Sequence, residues 1–152
     1  MIVAATDIDT RNVAKRILLD KAGVKTTEDF QALLWVNSDT REIEWCVGYD
    51  GFIGQCCQMH VVNLGGKTAP KKFLWACFDY PFNQCGLQAV TGLVNSRNQK
   101  AMRFDKHLGF KEVLRLEGLH DDDGDLVVMK MDKDECKWLK LGAKYEAELL
   151  AA

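Results

Sequence analysis

The stretch of residues 94–110 constrains the fold of this chain most, because it predicts a helix with a defined start and end between two strands. Ser96 and Gln99 have the spacing of a capping box, which satisfies unpaired amides at a helix start. Gly109 is typical of the left-handed residue that ends a helix, and Phe110 opens the next apolar segment. One face of the predicted helix is apolar and carries Ala101, Phe104 and Leu108. With the apolar residues 87–94 before it, the stretch predicts strand, helix and strand in succession.

The same helix carries the spaced pattern Asn-x-x-Ala-x-x-hydrophobic-x-x-x-Leu-Gly-Phe, which begins at Asn98 and ends at Phe110. This pattern resembles the GNAT superfamily of acetyl-CoA-dependent N-acetyltransferases, in particular the branch that acetylates the N-termini of ribosomal proteins. The resemblance implies an α/β (α+β) fold, in which a mixed, mostly antiparallel, twisted sheet is flanked by helices. It also implies that the Asn98 side chain contacts the pantetheine arm of acetyl-CoA.

The composition of the 152 residues is that of one soluble globular domain, with 47% hydrophobic and 28% charged residues. A formal net charge of -2 argues against nucleic acid as a partner, because neutralising phosphates needs a basic excess. No apolar run approaches the roughly 20 residues of a membrane span. The N-terminus lacks the basic segment and apolar core of a secretory signal. We therefore expect a cytoplasmic protein that binds neither nucleic acid nor membrane.

The cysteine and aspartate patterns predict no metal site. The six cysteines lack a Cys-x-x-Cys pair and stand at positions 46, 56, 57, 77, 85 and 136. Most fall in apolar stretches, which favours free thiols in a reducing compartment. Three consecutive aspartates begin at Asp121, but a calcium loop counted from there would need glycine at Leu126 and glutamate at Asp132. A solvated hairpin turn is the prediction for this segment.

The N-terminal part predicts a strand at residues 1–5 and then a helix, which Asp9 or Thr10 caps and Gly23 ends. Val13, Ile17 and Leu18 would form the buried face of this helix. Residues 26–30 predict a second short helix, and the resemblance implies that this segment shapes the acceptor pocket.

Residues 31–64 predict three antiparallel strands. The first is the apolar run 32–36, and the second is the alternating segment 42–49. An Asp-Gly pair at residues 50–51 is a strong hairpin signal and leads into a long third strand at 52–64.

The C-terminal part predicts a hairpin from residues 113–119 and 126–131, followed by a helix at 134–150. That helix has a face at helical spacing made of Trp138, Leu141, Tyr145 and Leu149. We divide the chain into a GNAT-like acyltransferase domain at 1–133 and a C-terminal amphipathic helix at 134–152. The helix either packs on its own domain or forms a contact with a second copy in a homo-oligomer or with another partner.

By the resemblance, residues 65–69 are the loop that holds the pyrophosphate of acetyl-CoA. Backbone amides and the positive end of the following helix favour an anion there. The predicted cofactor contacts in this loop are Gly66, Lys67, Thr68 and Ala69, and Thr68 is also the predicted helix cap. Two positions depart from the family pattern, because Gly65 replaces an arginine or glutamine and Thr68 replaces a glycine. The alternative is an ordinary helix start with solvated lysines.

The strand that precedes this loop carries the other predicted cofactor contacts. By the resemblance it separates from the strand at residues 90–94, and the backbone of Val61 and Val62 holds the pantetheine arm like an added strand. A strand amide then polarises the thioester carbonyl, and the acceptor amine attacks directly.

Amine attack requires a neutral nitrogen, and at pH 7 deprotonation costs about 4.6 kcal/mol for a lysine and roughly 1 kcal/mol for an N-terminal amine. The candidate bases are His60 and Glu44. The alternatives are a structural role for His60 and a solvated carboxylate for Glu44. Asp105 stands where many family members have a tyrosine that protonates the departing thiolate, which leaves the general acid unassigned. For Asp105 the alternative is a solvated helix residue.

Two functions of different classes follow. The first is an N-acetyltransferase that transfers an acetyl group from acetyl-CoA to the primary amine of a protein N-terminus, a lysine or a small molecule. The second is a non-catalytic protein with the GNAT fold, such as a phage virion or assembly component, that has lost cofactor binding. The enzyme needs an open cleft between the strands of His60 and Val90. A structural protein can fill it with Met59, Trp75 or Phe104.

Overall fold

In the computed structural model, residues 1–151 are described, with the backbone alone for 149–151. The strands are β1 (Ile2–Ala4), β2 (Gln31–Val36), β3 (Ile43–Ile53), β4 (Cys56–Asn63), β5 (Ala89–Asn95), β6 (Lys111–Leu116) and β7 (Leu126–Asp132). The α-helices are α1 (Ile8–Ala22), α2 (Lys71–Asp79), α3 (Gln99–Leu108) and α4 (Gly142–Ala151). One seven-stranded sheet has the order β1-β2-β3-β4-β5-β7-β6. Only the β4–β5 pair is parallel, so the predicted mixed, mostly antiparallel sheet is confirmed.

The two faces of the sheet are covered by different helices. On one face α1 packs over β2, β3 and β4, and the buried cluster there includes Ala14, Leu18, Phe30, Leu34, Cys46 and Val62. On the other face α2, α3 and the C-terminal segment share one core that includes Phe73, Phe78, Val90, Met102, Leu108, Val127 and Trp138. The central strands therefore have helices on both faces.

The parallel pair at the centre of the sheet is short. β4 and β5 are aligned over three residue pairs, from Cys56 with Ala89 to Gln58 with Thr91. Beyond these pairs β4 stays on β3 and β5 stays on β7. The strands therefore separate from Met59 and Gly92 onward, and the gap that the resemblance implies is present.

The first helix begins earlier than predicted. Asp7, and neither Asp9 nor Thr10, is the N-cap, and its Oδ1 accepts a hydrogen bond of 2.8 Å from the Thr10 amide. Gly23 ends the helix in the left-handed conformation, as predicted. Val13 is exposed, however, and Ala14 takes the buried position beside Leu18.

The short helix predicted at 26–30 is wrong, because this segment is tied to β3 and contains no helical residue. The Thr27 amide donates to Asp50 Oδ2 at 3.0 Å. The carboxylate of Asp29 accepts from the amides of Gly51 and Phe52, at 3.1 and 2.8 Å.

The predicted antiparallel pair of β3 and β4 forms, but these contacts explain why its turn does not lie at residues 50–51. Asp50 and Gly51 both lie inside β3, and the turn comes at residues 54–55. Because Asp29 satisfies the amides after Asp50, the strand bulges here and then resumes its pairing with β4. Gly51 takes a positive φ of 58°, which suits a bulge as well as a turn.

The C-terminal segment is not the continuous helix predicted from residue 134. Two 3₁₀ turns, Lys133–Glu135 and Lys137–Leu141, precede α4. The indole Nε1 of the buried Trp138 donates to the Leu108 carbonyl oxygen at 2.8 Å, which holds the segment against the end of α3 before α4 begins.

The first turns of α4 also contact the domain. The Tyr145 ring is buried, with its centroid 5.8 Å from that of Trp75. The side chain of Leu149 and residue 152 lie outside the described part of the chain. The domain boundary after residue 133 and a contact of this helix with a second copy stay predictions.

The last hairpin forms with shifted bounds, because β6 begins at Lys111 instead of residue 113 and ends at Leu116 instead of residue 119. All six cysteines are free thiols. Within residues 1–148, no three His, Cys, Asp or Glu side chains are grouped to hold a metal ion. No described helix is long and apolar enough to cross a membrane.

Candidate active site

The start of α2 leaves backbone amides unpaired. Its N-cap is Pro70, which has no capping side chain, so the prediction that Thr68 caps this helix is wrong. The first helical hydrogen bond of α2 is the one that the Leu74 amide donates to the Pro70 carbonyl oxygen, at 3.0 Å. No acceptor in the described chain bonds the amides of residues 67–69 or 71–73. These amides, at the positive end of a helix, are the groups that an anion requires.

The loop before α2 is shaped by Asn63, a residue that the sequence analysis did not select. Its Oδ1 accepts from the amides of Gly65 and Gly66, at 3.0 and 2.9 Å. Its Nδ2 donates to the Lys67 carbonyl oxygen at 3.2 Å. The Gly66 amide therefore already donates a hydrogen bond, whereas the amides of the other predicted contacts, Lys67 to Ala69, have no acceptor in the described chain. An asparagine two residues before a Gly-Gly pair is a turn signal that could have identified it.

Glu44 belongs to this loop and not to the point where β4 and β5 separate. Trp45 pairs with Asn63, so Glu44 lies five residues from Met59 along the ladder, or roughly 16 Å. Its Oε1 accepts from Asn37 Nδ2 at 3.0 Å and from Lys67 Nζ at 3.2 Å. Hydrogen bonds from Asn37 and then Lys67 hold the pKa of Glu44 below its ordinary value. A carboxylate held in this way is a weak base, so the geometry favours a structural role.

His60 lies one residue beyond Met59, on the face of the sheet that α1 covers. Its Nε2 is 2.7 Å from Asp50 Oδ1, and its side chain is 12% exposed. Asp50 is 3% exposed, and its Oδ2 also accepts from the Thr27 amide. Asp50 therefore holds the imidazole in a fixed orientation next to the gap.

The predicted pantetheine contacts lie along the open edge of β4. Val61 packs toward the core under α2 and α3, and Val62 is buried toward α1. Because their strand is no longer paired with β5, the backbone groups on that side face the gap.

Asn98 is the N-cap of α3, so the prediction that Ser96 caps this helix is wrong. Asn98 Oδ1 accepts from the Ala101 amide at 3.1 Å. Ser96 Oγ instead accepts from the Asp125 amide at 2.8 Å, which ties the start of α3 to β7. The side-chain Nδ2 of Asn98 has no acceptor within residues 1–148. It is therefore the group of Asn98 that is free to make the predicted contact with pantetheine.

An aromatic pair lies over the open half of β4. Trp45, on β3, stacks on Phe104 of α3 with ring centroids 5.8 Å apart and an interplanar angle of 26°. Trp45 is buried, and its Nε1 has no hydrogen-bond partner in the described chain. Because β4 lies between β3 and α3, this stack covers part of the gap on the α2–α3 face. Trp75 packs under α4 instead, against Tyr145.

Asp105 follows Phe104 and is half-buried. A Cβ atom added to Gly92 would lie 3.9 Å from Asp105 Oδ2, so this carboxyl faces the sheet. Burial raises the pKa of Asp105 from 3.8 to about 6.

A mixed sheet whose parallel central pair opens beside an uncapped helix start defines the class of fold, which is that of the GNAT N-acetyltransferases. Neither the protein-family models nor the curated proteins match this chain. Solved structures do. A chimera of the Vibrio cholerae spermidine N-acetyltransferase SpeG and hSSAT superposes with a TM-score of 0.72, at 14% identity, over 91% of this chain and 99% of that chain.

Two further structures of the Vibrio cholerae spermidine N-acetyltransferase match over most of their length. One is in complex with CoA and spermine, with a TM-score of 0.65 at 13% identity over 88% of this chain and 96% of that one. The other is dodecameric, with a TM-score of 0.70 at 13% identity over 91% and 95%. At such identities the likeness establishes the fold. These three structures are spermidine N-acetyltransferases and not members of the ribosomal-protein branch that the pattern at Asn98 resembles.

Proposed function

We propose that this protein is an N-acetyltransferase that moves the acetyl group of acetyl-CoA to a primary amine. The observation that carries the proposal is the gap between β4 and β5, which leads to the unpaired amides of residues 67–69 and the start of α2. A strand edge and a helix start at the two ends of one cleft fit a ligand with an extended amide-bearing arm and a pyrophosphate.

Three groups of residues would each bind a different part of acetyl-CoA. The amides of Lys67, Thr68 and Ala69 would bind the pyrophosphate, and the edge of β4 at Val61 and Val62 would bind the pantetheine arm. Asn98 Nδ2 would donate to that arm from the start of α3. When bound, acetyl-CoA supplies the acetyl thioester.

His60 is the base that we assign to the acceptor amine. It lies on the α1 face, whereas the unpaired amides belong to α2 on the other face, so acceptor and cofactor would approach the gap from opposite sides. The hydrogen bond to Asp50 keeps one imidazole nitrogen engaged and leaves the other for the amine.

For the acceptor we favour a small aliphatic polyamine. The matched structures are spermidine N-acetyltransferases, and one holds spermine. A primary aliphatic amine, like a lysine, costs about 4.6 kcal/mol to deprotonate at pH 7, which gives a base such as His60 a clear role. Peptide N-termini, the acceptors of the branch that the Asn98 pattern resembles, are the second class to assay.

The first test is calorimetric titration of the protein with acetyl-CoA, followed by assays with spermidine and with a short peptide. Acetylated product should be followed by mass spectrometry, because the exposed Cys85 would react with thiol reagents that detect released CoA. We expect micromolar binding and turnover of spermidine. Absence of binding at millimolar acetyl-CoA would contradict the proposal.

One observation favours the alternative of a non-catalytic GNAT-fold protein. The Trp45–Phe104 stack covers part of the gap. Phe104 is one of the side chains with which a structural protein would fill this cleft. Phe104→Ala separates the two functions. If acetyl-CoA binds only to this variant, the stack closes the cleft in the wild-type protein; if both bind, the ring moves aside or lines the site.

A further inference from the structure

The indole N–H of Trp45 is a buried donor without an acceptor. The Trp45 side chain is 4% exposed, and its Nε1 atom is itself buried and has no hydrogen-bond partner in the described chain. A buried tryptophan usually finds a partner for its N–H, because an unpaired buried donor costs stability. Phenylalanine would fill the same position without that cost. A ligand that accepts the hydrogen bond would explain why an indole stands here.

The other indole groups of the chain are accounted for within the fold. Trp138 Nε1 donates to a carbonyl oxygen at the end of α3, and Trp35 is only half-buried. Trp75 Nε1 is buried and unpaired, but it faces the first turns of α4. A Cβ atom added to Gly142 would lie 3.3 Å from this nitrogen and 3.7 Å from Glu146 Oε1. A carboxylate of the same chain is therefore within reach of Trp75 after a change of rotamer.

The position of Trp45 puts its donor on the face of the sheet that the cofactor would approach. Trp45 lies opposite Asn63 in the β3–β4 ladder, and its side chain belongs to the core under α2 and α3. The Asn63 oxygen already accepts from the amides of Gly65 and Gly66. Neighbouring strands are about 4.8 Å apart, so an indole that starts on β3 and meets Phe104 of α3 has crossed β4. The indole therefore lies over the strand whose open edge would bind the pantetheine arm.

Phe104 covers the indole and can move away from it. A ligand reaches the buried Nε1 only after a neighbouring side chain moves, and Phe104 is the side chain that stacks on this ring. Phe104 is half-buried, so its ring can rotate outward without opening the core. The other stacked pair of this core, Phe78 with Phe82, is fully buried and has no such freedom.

We propose that Trp45 is a cofactor-binding residue whose Nε1 donates a hydrogen bond to an amide oxygen of the pantetheine arm, after the Phe104 ring has moved off the indole. This inference rests on the proposed function and adds a donor that the family resemblance does not imply. The pantetheine arm contains two amides, and an amide oxygen that leaves water needs a new donor. The edge of β4 and Asn98 Nδ2 would supply some of these donors, and Trp45 supplies one from the face of the strand.

The unpaired state of the indole in the free protein favours this bond. In an ordinary binding site a donor exchanges a hydrogen bond to water for one to the ligand, and the net gain is small. Trp45 Nε1 is buried and gives up no such bond when the ligand arrives. The hydrogen bond to pantetheine therefore contributes more fully to affinity, and part of that gain offsets the displacement of Phe104.

The first test is calorimetric titration of Trp45→Phe with acetyl-CoA and, separately, with ADP. Phenylalanine keeps an aromatic ring beside Phe104 but removes the N–H. We expect the Kd of acetyl-CoA to rise about tenfold, as for the loss of one hydrogen bond in a buried site. The Kd of ADP should stay within about twofold, because ADP has a pyrophosphate but no pantetheine arm. Trp75→Phe, which removes the other buried and unpaired indole N–H, is the matched control and should keep both Kd values.

Tryptophan fluorescence gives a second readout, which follows the cover over the indole. Light absorbed by tryptophan but not by adenine should excite the protein during the titration. We expect acetyl-CoA to change the emission of the wild type and of Trp75→Phe, because the surroundings of Trp45 change when Phe104 leaves it. Most of this change should be missing in Trp45→Phe, and an equal change in that variant contradicts the movement of Phe104 off the indole.

Failure of this inference is distinguishable from failure of the proposed function. If neither the wild type nor Phe104→Ala binds acetyl-CoA, both are overturned. Binding to Phe104→Ala alone overturns the inference too, because the ring then does not move aside in the wild type. If the wild type binds and the Kd of Trp45→Phe stays within about twofold, the role of Trp45 alone is overturned. An equal loss of ADP binding also overturns it, since the substitution has then disturbed the pyrophosphate loop.

A measurement on the wild type decides the matter should Trp45→Phe fail to fold. The indole N–H resonances of the isotopically enriched protein can be followed by NMR, and that of Trp45 is recognised by its proximity to the Phe104 ring. Acetyl-CoA should shift this resonance in the direction of a hydrogen-bonded N–H, whereas ADP should leave it in place. A resonance that acetyl-CoA does not move contradicts the hydrogen bond.

Discussion

Single residues at this site show how burial and partners give chemically identical groups different roles. Asp50 is buried, whereas Asp105 is half-buried and lies on the opposite face of the sheet. Asp50 is bonded to His60 and the Thr27 amide, so it holds other groups in place. Asp105 has no such partners in the described chain, so no hydrogen bond or ion pair offsets the effect of its partial burial.

Asp50→Asn tests whether the carboxylate positions His60 for the reaction. The amide is nearly isosteric and can still accept from Thr27, but its hydrogen bond to the imidazole is no longer charge-assisted. We expect kcat for spermidine to fall about tenfold with little change in the KM for acetyl-CoA, and the free energy of unfolding to fall by about 1–2 kcal/mol. Steady-state kinetics and urea unfolding measure both. Asp20→Asn, at an exposed position of α1, is the control, and an equal effect there would contradict positioning by Asp50.

The raised pKa of Asp105 predicts how stability depends on pH. Folding favours the neutral form of this carboxyl, so its ionisation destabilises the protein above about pH 6, and the penalty disappears as pH falls toward the ordinary value of 3.8. A rise from 3.8 to about 6 corresponds to at most about 3 kcal/mol, and partial exposure reduces this to about 1–2 kcal/mol.

Asp105→Asn should therefore be more stable than the wild type at pH 7.5, by about 1–2 kcal/mol in urea unfolding. The difference should shrink toward zero at pH 4, because the wild-type carboxyl is then largely neutral. A variant that is less stable than the wild type at pH 7.5 would show that the carboxylate stabilises the fold.

Sequence reasoning located residues better than it located their partners. It selected His60 as a candidate from its place on a predicted central strand and Asp105 from its place in the helix pattern. It did not identify Asp50 as the partner of His60, because the Asp-Gly pair was interpreted as a turn. The burial of Asp105 depends on Gly92 and β4, which only the folded sheet brings beneath it.

Among the elements, the loop before α2 has the clearest link between shape and binding. Asn63 fixes the loop through two accepted hydrogen bonds and one donated bond. The amides that remain unpaired can then point in one direction before any ligand arrives, which reduces the cost of binding.

Asn63→Ala should weaken acetyl-CoA binding about tenfold, because the loop loses the side chain that orders it. The free energy of unfolding should also fall by about 1–2 kcal/mol, since three hydrogen bonds disappear. Calorimetry and urea unfolding measure the two effects. Asn12→Ala, at an exposed position of α1, is the matched control. Tighter binding in Asn63→Ala would mean that the Gly66 amide, once released, serves the ligand.

The errors in the predicted elements have one physical origin. Asp29 turns a hairpin signal into a bulge by bonding the amides of Gly51 and Phe52. The hydrogen bond from Trp138 to Leu108 likewise delays the start of α4. Contacts between residues distant in sequence decided these positions, and local propensity does not contain that information.

For the whole molecule, the order of strands and helices followed from hydrophobic periodicity and from the resemblance. The sequence did not predict which face of the sheet each helix covers. Helix α1 packs over β2, β3 and β4, while Leu93 on β5 and Leu114 on β6 are 45% and 52% exposed. The sequence shows these leucines only as apolar strand residues, and their exposure depends on where α1 lies.

Binding of acetyl-CoA should stabilise the whole molecule by mass action. At a concentration 100 times its Kd, a ligand that binds only the folded state adds about 2.7 kcal/mol. For a protein of this size, that corresponds to a rise in Tm of roughly 5–10 °C. Thermal unfolding with and without acetyl-CoA measures the shift, and sodium acetate at the same concentration is the control. A Tm that does not move would contradict specific binding.

The short β4–β5 contact has a mechanical consequence. Three aligned residue pairs join a four-stranded half-sheet, β1 to β4, to a three-stranded half-sheet, β5, β7 and β6. Because the two halves diverge from this joint, a small difference in the angle between them makes a large difference in the width of the gap at its far end. The core that α2 and α3 share across both halves fixes that angle.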